Sequence, residues 1–393
     1  MPPAKSKRTK ARKPLVIDCF IFNDELDILE LRLNILADVV DYHVVAESKK
    51  TFAGRDKPLY LQNNIDRFSK FKHKIISVVV SDFNQAPLVS KPHLYQSAKL
   101  ANPQLPYSEE EYNLIWSREI YQRNAIVEGL KDFSPEDVVI ISDLDEIPRP
   151  SAIKRAVKLL AAGSGPVALE QNFYYYFLNG LLEEKLYRAK LTKLADLTTP
   201  QSLRERDDCP VVKNGGWHFS YLGSTEKIIT KLENFSHQEY NSEVYKNPAA
   251  ITAQIKIGVD ILNRPKKITY VAIDRTYPAY IRQHQDRLAK YIHPPTPEVS
   301  LSSAEQTALA DLVVNARQER DQARQMVERL QADKRQLQQE VTHLREIVSI
   351  PLKQKVKQRL IELMWQYLTA GKEKFISLIT GVIGLSRSQS EQE

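Results

Sequence analysis

Three acidic side chains directly follow a short apolar segment in VVIISDLDEIPRP, residues 138–150. Residues 138–142 carry no charge and are typical of a buried strand, whereas Asp143, Asp145 and Glu146 repel one another unless a cation lies between them. Asp143 and Asp145 are two residues apart, so both carboxylates face one side of an extended chain. Their oxygens suit Mg²⁺ or Mn²⁺, and such an ion usually holds a phosphate group. The alternative is an ordinary solvated loop at a strand end.

Basic and amide side chains that can bind phosphate precede the acidic segment. A helical pattern at 109–130 carries Arg118, Arg123 and Asn124. Arg118 is five residues from Arg123 and therefore lies on a partly different face of the helix. Arg123 and Asn124 are the expected phosphate ligands.

Strand and helix patterns alternate around these residues. Apolar runs at 15–22, 39–48, 74–83 and 138–142 predict strands, and Leu26, Leu29, Leu33 and Leu36 have helical spacing. This order predicts one α/β domain over 14–293 with a largely parallel sheet, whose ligands bind at the carboxyl ends of the strands. From 165 the pattern is more mixed, with short strands near 166–178 and 215–223 and a helix over about 241–260.

Composition excludes several classes of protein. The chain is 42% hydrophobic and 27% charged, as globular proteins are. Its net charge is +7, but residues 1–13 contain six Lys and Arg and no acid, leaving about +1 (seven less six) for the remainder. We therefore expect a disordered basic tail over 1–13 and no nucleic-acid partner.

Two cysteines exclude a disulfide framework, and no run approaches the about 18 apolar residues of a membrane span. We expect a cytoplasmic protein, at most peripheral to a membrane.

Two helical patterns follow the α/β domain. Residues 294–350 are predicted to form a linker and a coiled coil, because 301–350 lack Pro and Gly and contain six heptads. One seam position holds Leu309, Ala316, Ala323, Leu330, Leu337 and Leu344, and the other holds Val313, Arg320, Val327, Lys334, Val341 and Val348. The pattern favours self-association over a single solvated helix. Residues 351–393 form an amphipathic tail that either contacts a membrane surface or packs against protein.

Several segments together resemble glycosyltransferase family 17. They are IDCFIFNDELDILELRLNIL, VDYHVVAESKKTFAGRDKPLYL, VVIISDLDEIPRPSAI, FYYYFLNG, and GGWHFSYLG followed by KLENFSHQEYN, in order over about residues 15–292. The resemblance implies a GT-A-like nucleotide-binding fold, a UDP-sugar donor (UDP-N-acetylglucosamine is expected) and Mn²⁺ or Mg²⁺. It also implies inversion at the anomeric carbon and an acceptor hydroxyl on a glycan or glycolipid.

The resemblance also implies roles for individual residues. Asp143 and Asp145 match the family's metal motif, and Asp145 is the expected direct ligand. Glu47, which follows the second strand, would lie near the nucleoside, as would Asp18 or Asn23 at the first.

An inverting transfer needs a base that removes the proton of the acceptor hydroxyl. The candidates are Glu170, His218 and Glu233. Glu170 precedes an aromatic row at 173–177, whose rings either stack on a sugar or belong to the core. His218 follows two glycines that permit a tight turn. The sequence does not choose among the three.

Two other functions are compatible with parts of the sequence. A phosphatase or phosphotransferase with the motif D-x-D-x-[TV] needs Thr or Val where this chain has Ile147, and no downstream Lys or acidic pair is recognisable. A non-catalytic scaffold, with a degenerate transferase domain that positions a partner through the coiled coil, is disfavoured by the intact acids.

Overall fold

The computed structural model describes residues 12–264, 266–294, 300–349 and 362. The chain divides into two compact units, one up to Arg320 and one from Asp321. The predicted amphipathic tail, apart from residue 362, and nearly all of the predicted basic tail lie outside the described residues. Among the described helices, none is both long and apolar enough to cross a bilayer.

Within the described residues ten strands form one sheet. They are β1 Val16–Phe22, β2 Tyr42–Ser48, β3 Ile75–Val80, β4 Val138–Ile141, β5 Glu146–Pro148, β6 Val167–Tyr175, β7 Gly180–Leu186, β8 Lys190–Lys193, β9 Val211–Ser220 and β10 Ile268–Tyr270.

The described α-helices are α1 Leu26–Leu36, α2 Tyr60–Asn63, α3 Pro92–Ala101, α4 Glu109–Asn124, α5 Pro150–Ala161, α6 Pro200–Glu205, α7 Thr225–Asn234, α8 Pro248–Ile257, α9 Ala279–Gln283 and α10 Ser303–Ser349. Short 3-10 helices span Ile65–Lys74, Ala125–Leu130, Leu194–Asp196, Gln238–Tyr240 and Ala289–Tyr291.

The sheet is parallel on one side and mixed on the other. Its order is β10-β7-β6-β8-β4-β1-β2-β3, and β9 pairs with both β6 and β5. β1 pairs in parallel with β2 and β4, and β2 with β3, so the predicted parallel arrangement is confirmed for these four strands. It is wrong for the sheet as a whole, because β8 pairs antiparallel with β4 and β6, and β7 pairs antiparallel with β6 and β10. A short connection joins β6 and β7 as a hairpin, without a helical crossover between them.

Helix ends follow local capping chemistry. α4 begins with a capping box, in which Ser108 and Glu111 bond each other's backbone N–H, and the predicted helix over 109–130 ends at Asn124 with a 3-10 turn beyond. α8 is shorter than the predicted 241–260. Asn247 caps its start ahead of Pro248, and Gly258 ends it at φ 68°, in the left-handed region.

The core lies on both faces of the parallel strands. Leu29, Leu33 and Leu36 of α1 are fully buried, as their helical spacing predicts, and pack against Phe20 and Phe22 of β1. Each buried leucine contributes about 1.5–3 kcal/mol from loss of apolar surface to water. This packing holds the loop between β1 and α1 at the carboxyl edge of the sheet.

The long helix predicted within 301–350 is present as α10. Two of its predicted seam residues, Val313 and Leu337, are 43% and 50% exposed. Self-association through this helix stays a prediction.

Candidate active site

A cleft of about 740 Å³ opens at the carboxyl ends of the parallel strands. The β1–α1 loop, α4, the acidic segment between β4 and β5, the end of β9 and α7 line it. Five residues predicted from the sequence meet in this cleft: Asn23, Arg123, Asp143, Asp145 and His218. They are separated by up to 195 positions in the chain (218 less 23), so the sheet brings them together.

The acidic segment is a tight turn with alternating side-chain directions. Leu144 is 4% exposed and belongs to the core, while Asp143 and Asp145 line the cleft, as the spacing predicts. The backbone N–H of Asp143 donates to Glu146 Oε2 at 2.9 Å, and the N–H of Glu146 donates to the Asp143 carbonyl at 3.0 Å. These two bonds close the turn.

A buried arginine holds this turn from behind. Arg32 of α1 is fully buried, and its Nη1 donates to the carbonyl oxygens of Asp143, Leu144 and Glu146 at 2.8, 3.0 and 3.1 Å. Its Nε and Nη2 bond both oxygens of Asp18 at 2.8 and 2.6 Å. The guanidinium therefore joins β1 to the acidic turn and sets the direction of the two cleft-facing carboxylates.

Asp18, which the resemblance placed near the nucleoside, lies inside the sheet. It is fully buried within β1 and does not line the cleft, since Arg32 and His43 Nδ1, at 3.0 Å, occupy its oxygens. Burial would raise the pKa of this carboxyl, but Arg32 and His43 hold it well below the usual range. The sequence signal for this buried ion pair was a charged residue within an apolar strand, followed by an arginine on the buried face of the next helix.

Asp143 is held between two arginines. Its Oδ1 accepts from Arg123 Nη2 at 3.1 Å, and its Oδ2 accepts from Arg204 Nη2 at 2.6 Å. Burial opposes ionisation, but Arg204 and Arg123 keep the pKa of Asp143 below its ordinary value. Arg204, on α6, also bonds Glu146 at 2.7 Å and was not predicted from the sequence. Both oxygens of Asp143 are therefore occupied by guanidinium groups.

Asp145 faces two different basic groups. Its Oδ2 accepts from Lys231 Nζ of α7 at 3.0 Å, and its Oδ1 lies 3.3 Å from His218 Nε2 of β9. Burial would raise the pKa of Asp145, but Lys231 and His218 hold it far below its usual range. The group stays an anion at any ordinary pH.

The residues around the acidic turn fit a divalent cation. Within the described part of the cleft, no three Asp, Glu, His or Cys side chains form an ion site by themselves. Both oxygens of Asp143 and one oxygen of Asp145 accept from basic side chains, which leaves Asp145 Oδ1, 3.3 Å from His218 Nε2, for an ion. Nine carboxylates and eight Lys or Arg side chains line the cleft, a surplus of one negative charge. An ion held by one or two protein groups and completed by substrate phosphate suits this arrangement.

The aromatic row divides between cleft and core by strand alternation. Phe173 and Tyr175 line the cleft, whereas Tyr174 packs in the main core. The His218 ring stacks on Phe173, with 4.4 Å between centroids and 13° between planes. The glycines before His218 do not make a turn. They let β9 pass close to its neighbours, since a Cβ on Gly216 would lie 2.2 Å from the Ile147 carbonyl oxygen.

Four other predicted residues lie outside the cleft. Glu47 accepts from Lys57 at 3.3 Å and from the Leu61 backbone at 3.1 Å, beside the start of α2; burial raises its pKa. Asn124 accepts from the Gln201 backbone at 3.0 Å. Glu170 accepts a hydrogen bond from the Asn214 backbone N–H at 3.4 Å, and Glu233 accepts one from Lys246 Nζ, also at 3.4 Å.

Glu25 lines the cleft and is not among the site residues that the sequence predicts. It lies in the β1–α1 loop, and its carboxylate accepts from the Asp24 backbone N–H at 3.2 Å. Among the described residues it forms no salt bridge. Burial raises the pKa of Glu25; Lys231 opposes the shift, and the acids Asp24 and Asp145 add to it. No pattern distinguished Glu25 from its acidic neighbours in NDELD.

The sequence matches the model of one protein family, glycosyltransferase family 17, over residues 4–286. The chain belongs to glycosyltransferase family 17. The matched region contains every residue of the cleft described above.

Two mammalian N-acetylglucosaminyltransferases match part of this family 17 chain. The β-1,4-mannosyl-glycoprotein 4-β-N-acetylglucosaminyltransferases of Rattus norvegicus and Homo sapiens are each 28% identical to it over 180 residues. The match covers 44% of this chain and 30% of each relative, so the chain spans under a third of their length.

Two solved structures show weak likeness. A 4-diphosphocytidyl-2C-methyl-D-erythritol synthase from Anaerococcus prevotii has a TM-score of 0.29 at 11% identity, covering 55% of this chain and 96% of that one. The bifunctional IspDF of Campylobacter jejuni has a TM-score of 0.25 at 9% identity, covering 57% and 54%.

Proposed function

We propose that this chain is an inverting, metal-dependent glycosyltransferase that moves N-acetylglucosamine from UDP-N-acetylglucosamine to a hydroxyl of a glycan or glycolipid. The observation that carries the proposal is the group of Asp143, Asp145, Arg123, Arg204 and Lys231 in one cleft at the carboxyl edge of a parallel sheet. Membership of family 17 and the N-acetylglucosaminyltransferase relatives support the reaction class.

The basic side chains would bind the diphosphate. Arg123 and Arg204 are held by Asp143, with 2% and 13% of their side chains exposed, so their guanidinium planes are fixed before the donor arrives. Guanidinium groups bind phosphate through paired hydrogen bonds. Because these side chains are already held in place, they need little rearrangement when the phosphate binds. Lys231, which bonds Asp145, would add a third positive charge. Asp145 would hold Mn²⁺ or Mg²⁺, which when bound offsets the charge of the departing diphosphate.

The aromatic side chains that line the cleft are largely covered. Phe173 and Tyr175 are 8% and 2% exposed, and the His218 ring stacks on Phe173. We therefore assign them to the packing that supports His218 and not to the transferred sugar.

We propose Glu25 as the base that removes the proton from the acceptor hydroxyl as that oxygen attacks the anomeric carbon and UDP departs. It is a cleft carboxylate with a raised pKa, it forms no salt bridge among the described residues, and the Asp24 backbone N–H bonds only its Oε2 there. A poised carboxylate contributes about 10²–10⁴-fold in such proton transfers.

Glu25→Gln is therefore expected to lower turnover by about 10²–10⁴-fold with little change in donor affinity. Because the ionised form is the active one and its pKa is raised, wild-type turnover should fall as pH drops, beginning above the usual glutamate value of about 4.3. A kcat–pH profile measures this. Glu170→Gln and Glu233→Gln, outside the cleft, serve as matched controls; a larger loss in either than in Glu25→Gln would refute the assignment.

Donor binding tests the proposed function itself. UDP at 100 times its Kd, with Mn²⁺, should add about 2.7 kcal/mol to the free energy of unfolding. Thermal unfolding with UDP, UMP and no ligand measures the contribution of the second phosphate. Arg204→Gln should lose most of the UDP-specific gain, and Arg155→Gln, an exposed arginine on α5, should keep it. No gain from UDP or any UDP-sugar would favour the scaffold alternative.

A further inference from the structure

A carboxylate–histidine pair lies in the cleft apart from the acidic turn. Nδ1 of His237 lies 2.8 Å from Oε1 of Glu239, and the other oxygen of Glu239 accepts from the Tyr112 hydroxyl, also at 2.8 Å. The Glu239 side chain is 8% exposed, whereas that of His237 is 48% exposed and lines the cleft. Glu239 is held on both sides, and as a carboxylate it requires the proton of the neutral imidazole on Nδ1.

The imidazole ring of His237 is held so that Nε2 faces the cleft. Trp116 lies edge-on to this ring, with 5.0 Å between centroids and 90° between planes, and the Phe235 ring lies 5.7 Å away. A rotation that exchanged the two ring nitrogens would break the bond to Glu239. Nε2 has no hydrogen-bond partner among the described residues, so it is available to a ligand.

A chain of contacts connects this histidine to the proposed phosphate site. Ser236, the preceding residue, donates its hydroxyl to Glu119 Oε2, and Glu119 Oε1 accepts from Arg123 Nη2 at 2.7 Å. Glu119 therefore ties the chain next to His237 to a guanidinium that is proposed to bind the diphosphate. Consecutive Cα atoms are about 3.8 Å apart, and both His237 and Arg123 line the cleft, so the imidazole lies close to that site.

The charges around His237 favour its protonated form. Burial lowers the pKa of His237, but Glu239 and Glu119 outweigh burial and raise it above its ordinary value of about 6.5. Arg264, which also lines the cleft, opposes them. The other titratable neighbours are the neutral hydroxyls of Tyr112 and Tyr240. The imidazolium carries an N–H on Nε2, and a charged donor of this kind suits a phosphate oxygen.

We propose that the imidazolium of His237 donates from Nε2 to the β-phosphate of the nucleotide and stabilises the departing UDP. The inference rests on the proposed function, because Arg123 marks where the diphosphate would lie. The electron pair of the broken sugar–phosphate bond passes to a β-phosphate oxygen, and no covalent bond forms at His237. A positive donor beside that oxygen lowers the barrier. Glu25 acts on the acceptor hydroxyl, whereas His237 acts on the leaving group, and Glu239 is a positioning residue.

Proton uptake on UDP binding tests the assignment without measuring turnover. Calorimetric titrations with saturating Mn²⁺ over about pH 6–9, in two buffers of different ionisation enthalpy, give the number of protons that bind with the ligand. Wild type should take up more protons with UDP than with UMP, which lacks the β-phosphate. His237→Gln should lose this difference and bind UDP about tenfold or more weakly near pH 7. Glu239→Gln should move the greatest uptake to lower pH.

A second histidine outside the cleft is the matched control. His284 also uses Nδ1, 2.8 Å from the Tyr280 carbonyl oxygen, and does not line the cleft. His284→Gln should bind UDP with the proton uptake of wild type, and circular dichroism checks that each variant keeps its fold.

The possible outcomes separate this inference from the proposed function. Equal proton uptake in wild type and His237→Gln would overturn the role of the imidazolium, although the donor site would stand. Proton release on UDP binding to wild type would also overturn it, since the neutral ring would then be the bound form. If UDP with Mn²⁺ does not bind wild type at any pH, the proposed function fails together with this inference.

Discussion

Asp145→Asn is expected to lower sugar transfer by at least about 100-fold, the usual effect of removing one charge-stabilising group from an active site. The change keeps the size of the side chain but removes the anion that lies 3.0 Å from Lys231 and 3.3 Å from His218. Cation affinity and the position of Lys231 should both be lost. UDP release from UDP-N-acetylglucosamine at saturating Mn²⁺ measures the effect.

A matched substitution isolates the effect of position. Asp208→Asn makes the same chemical change at an exposed aspartate whose partner is Arg206, outside the cleft. Its turnover should stay within about twofold of wild type, since surface pairs contribute at most about 1 kcal/mol. Full activity of Asp145→Asn with saturating Mn²⁺ would remove the acidic turn from the mechanism.

Arg32→Met is expected to destabilise the protein by about 3–5 kcal/mol, because it leaves the Asp18 carboxylate buried without its cation. Chemical denaturation measures the free energy of unfolding. The surface substitution Arg67→Met is the control: Arg67 pairs with Asp27 and Glu30 while 35% exposed, so its loss should cost about 1 kcal/mol or less.

A double variant separates stability from the positioning of the turn. Asp18→Leu with Arg32→Met removes both buried charges and should recover much of the lost stability. Activity should not recover, because the carbonyl oxygens of Asp143, Leu144 and Glu146 still lack their donor. A double variant as active as wild type would show that the turn keeps its geometry without Arg32.

The pH dependence of this stabilisation has a definite sign. Arg32 keeps the pKa of Asp18 low in the folded protein although burial opposes it. The pair therefore stabilises the fold fully above the unfolded aspartate pKa of about 3.9, and this contribution is lost as pH falls toward the folded value. The free energy of unfolding of the wild type should therefore keep this contribution near neutrality and lose it below about pH 4, as acid denaturation followed at several pH values would measure.

Local pattern alone located much of the site. Apolar runs identified the four parallel strands, and the leucine spacing identified α1, because side-chain periodicity reports directly which face of an element is buried. The alternation of strand and helix placed Asp143 and Asp145 at the carboxyl edge, where the cleft lies. The opposite placement of Tyr174 from Phe173 and Tyr175 follows from the same two-residue period.

The partners of these acids were decided by tertiary structure. Arg204 reaches Asp143 from 61 residues away, and Lys231 reaches Asp145 from 86 residues away. Such pairings depend on how β9 lies between β5 and β6 and on where α6, before β9, and α7, after it, are placed, which no local periodicity encodes. For the same reason local pattern did not indicate that Asp18 is buried against Arg32 or that Glu25 lines the cleft. Residue types and their spacing determine which side chains are chemically able to bind or catalyse. The order of the strands in the sheet determines which of those side chains lie in contact.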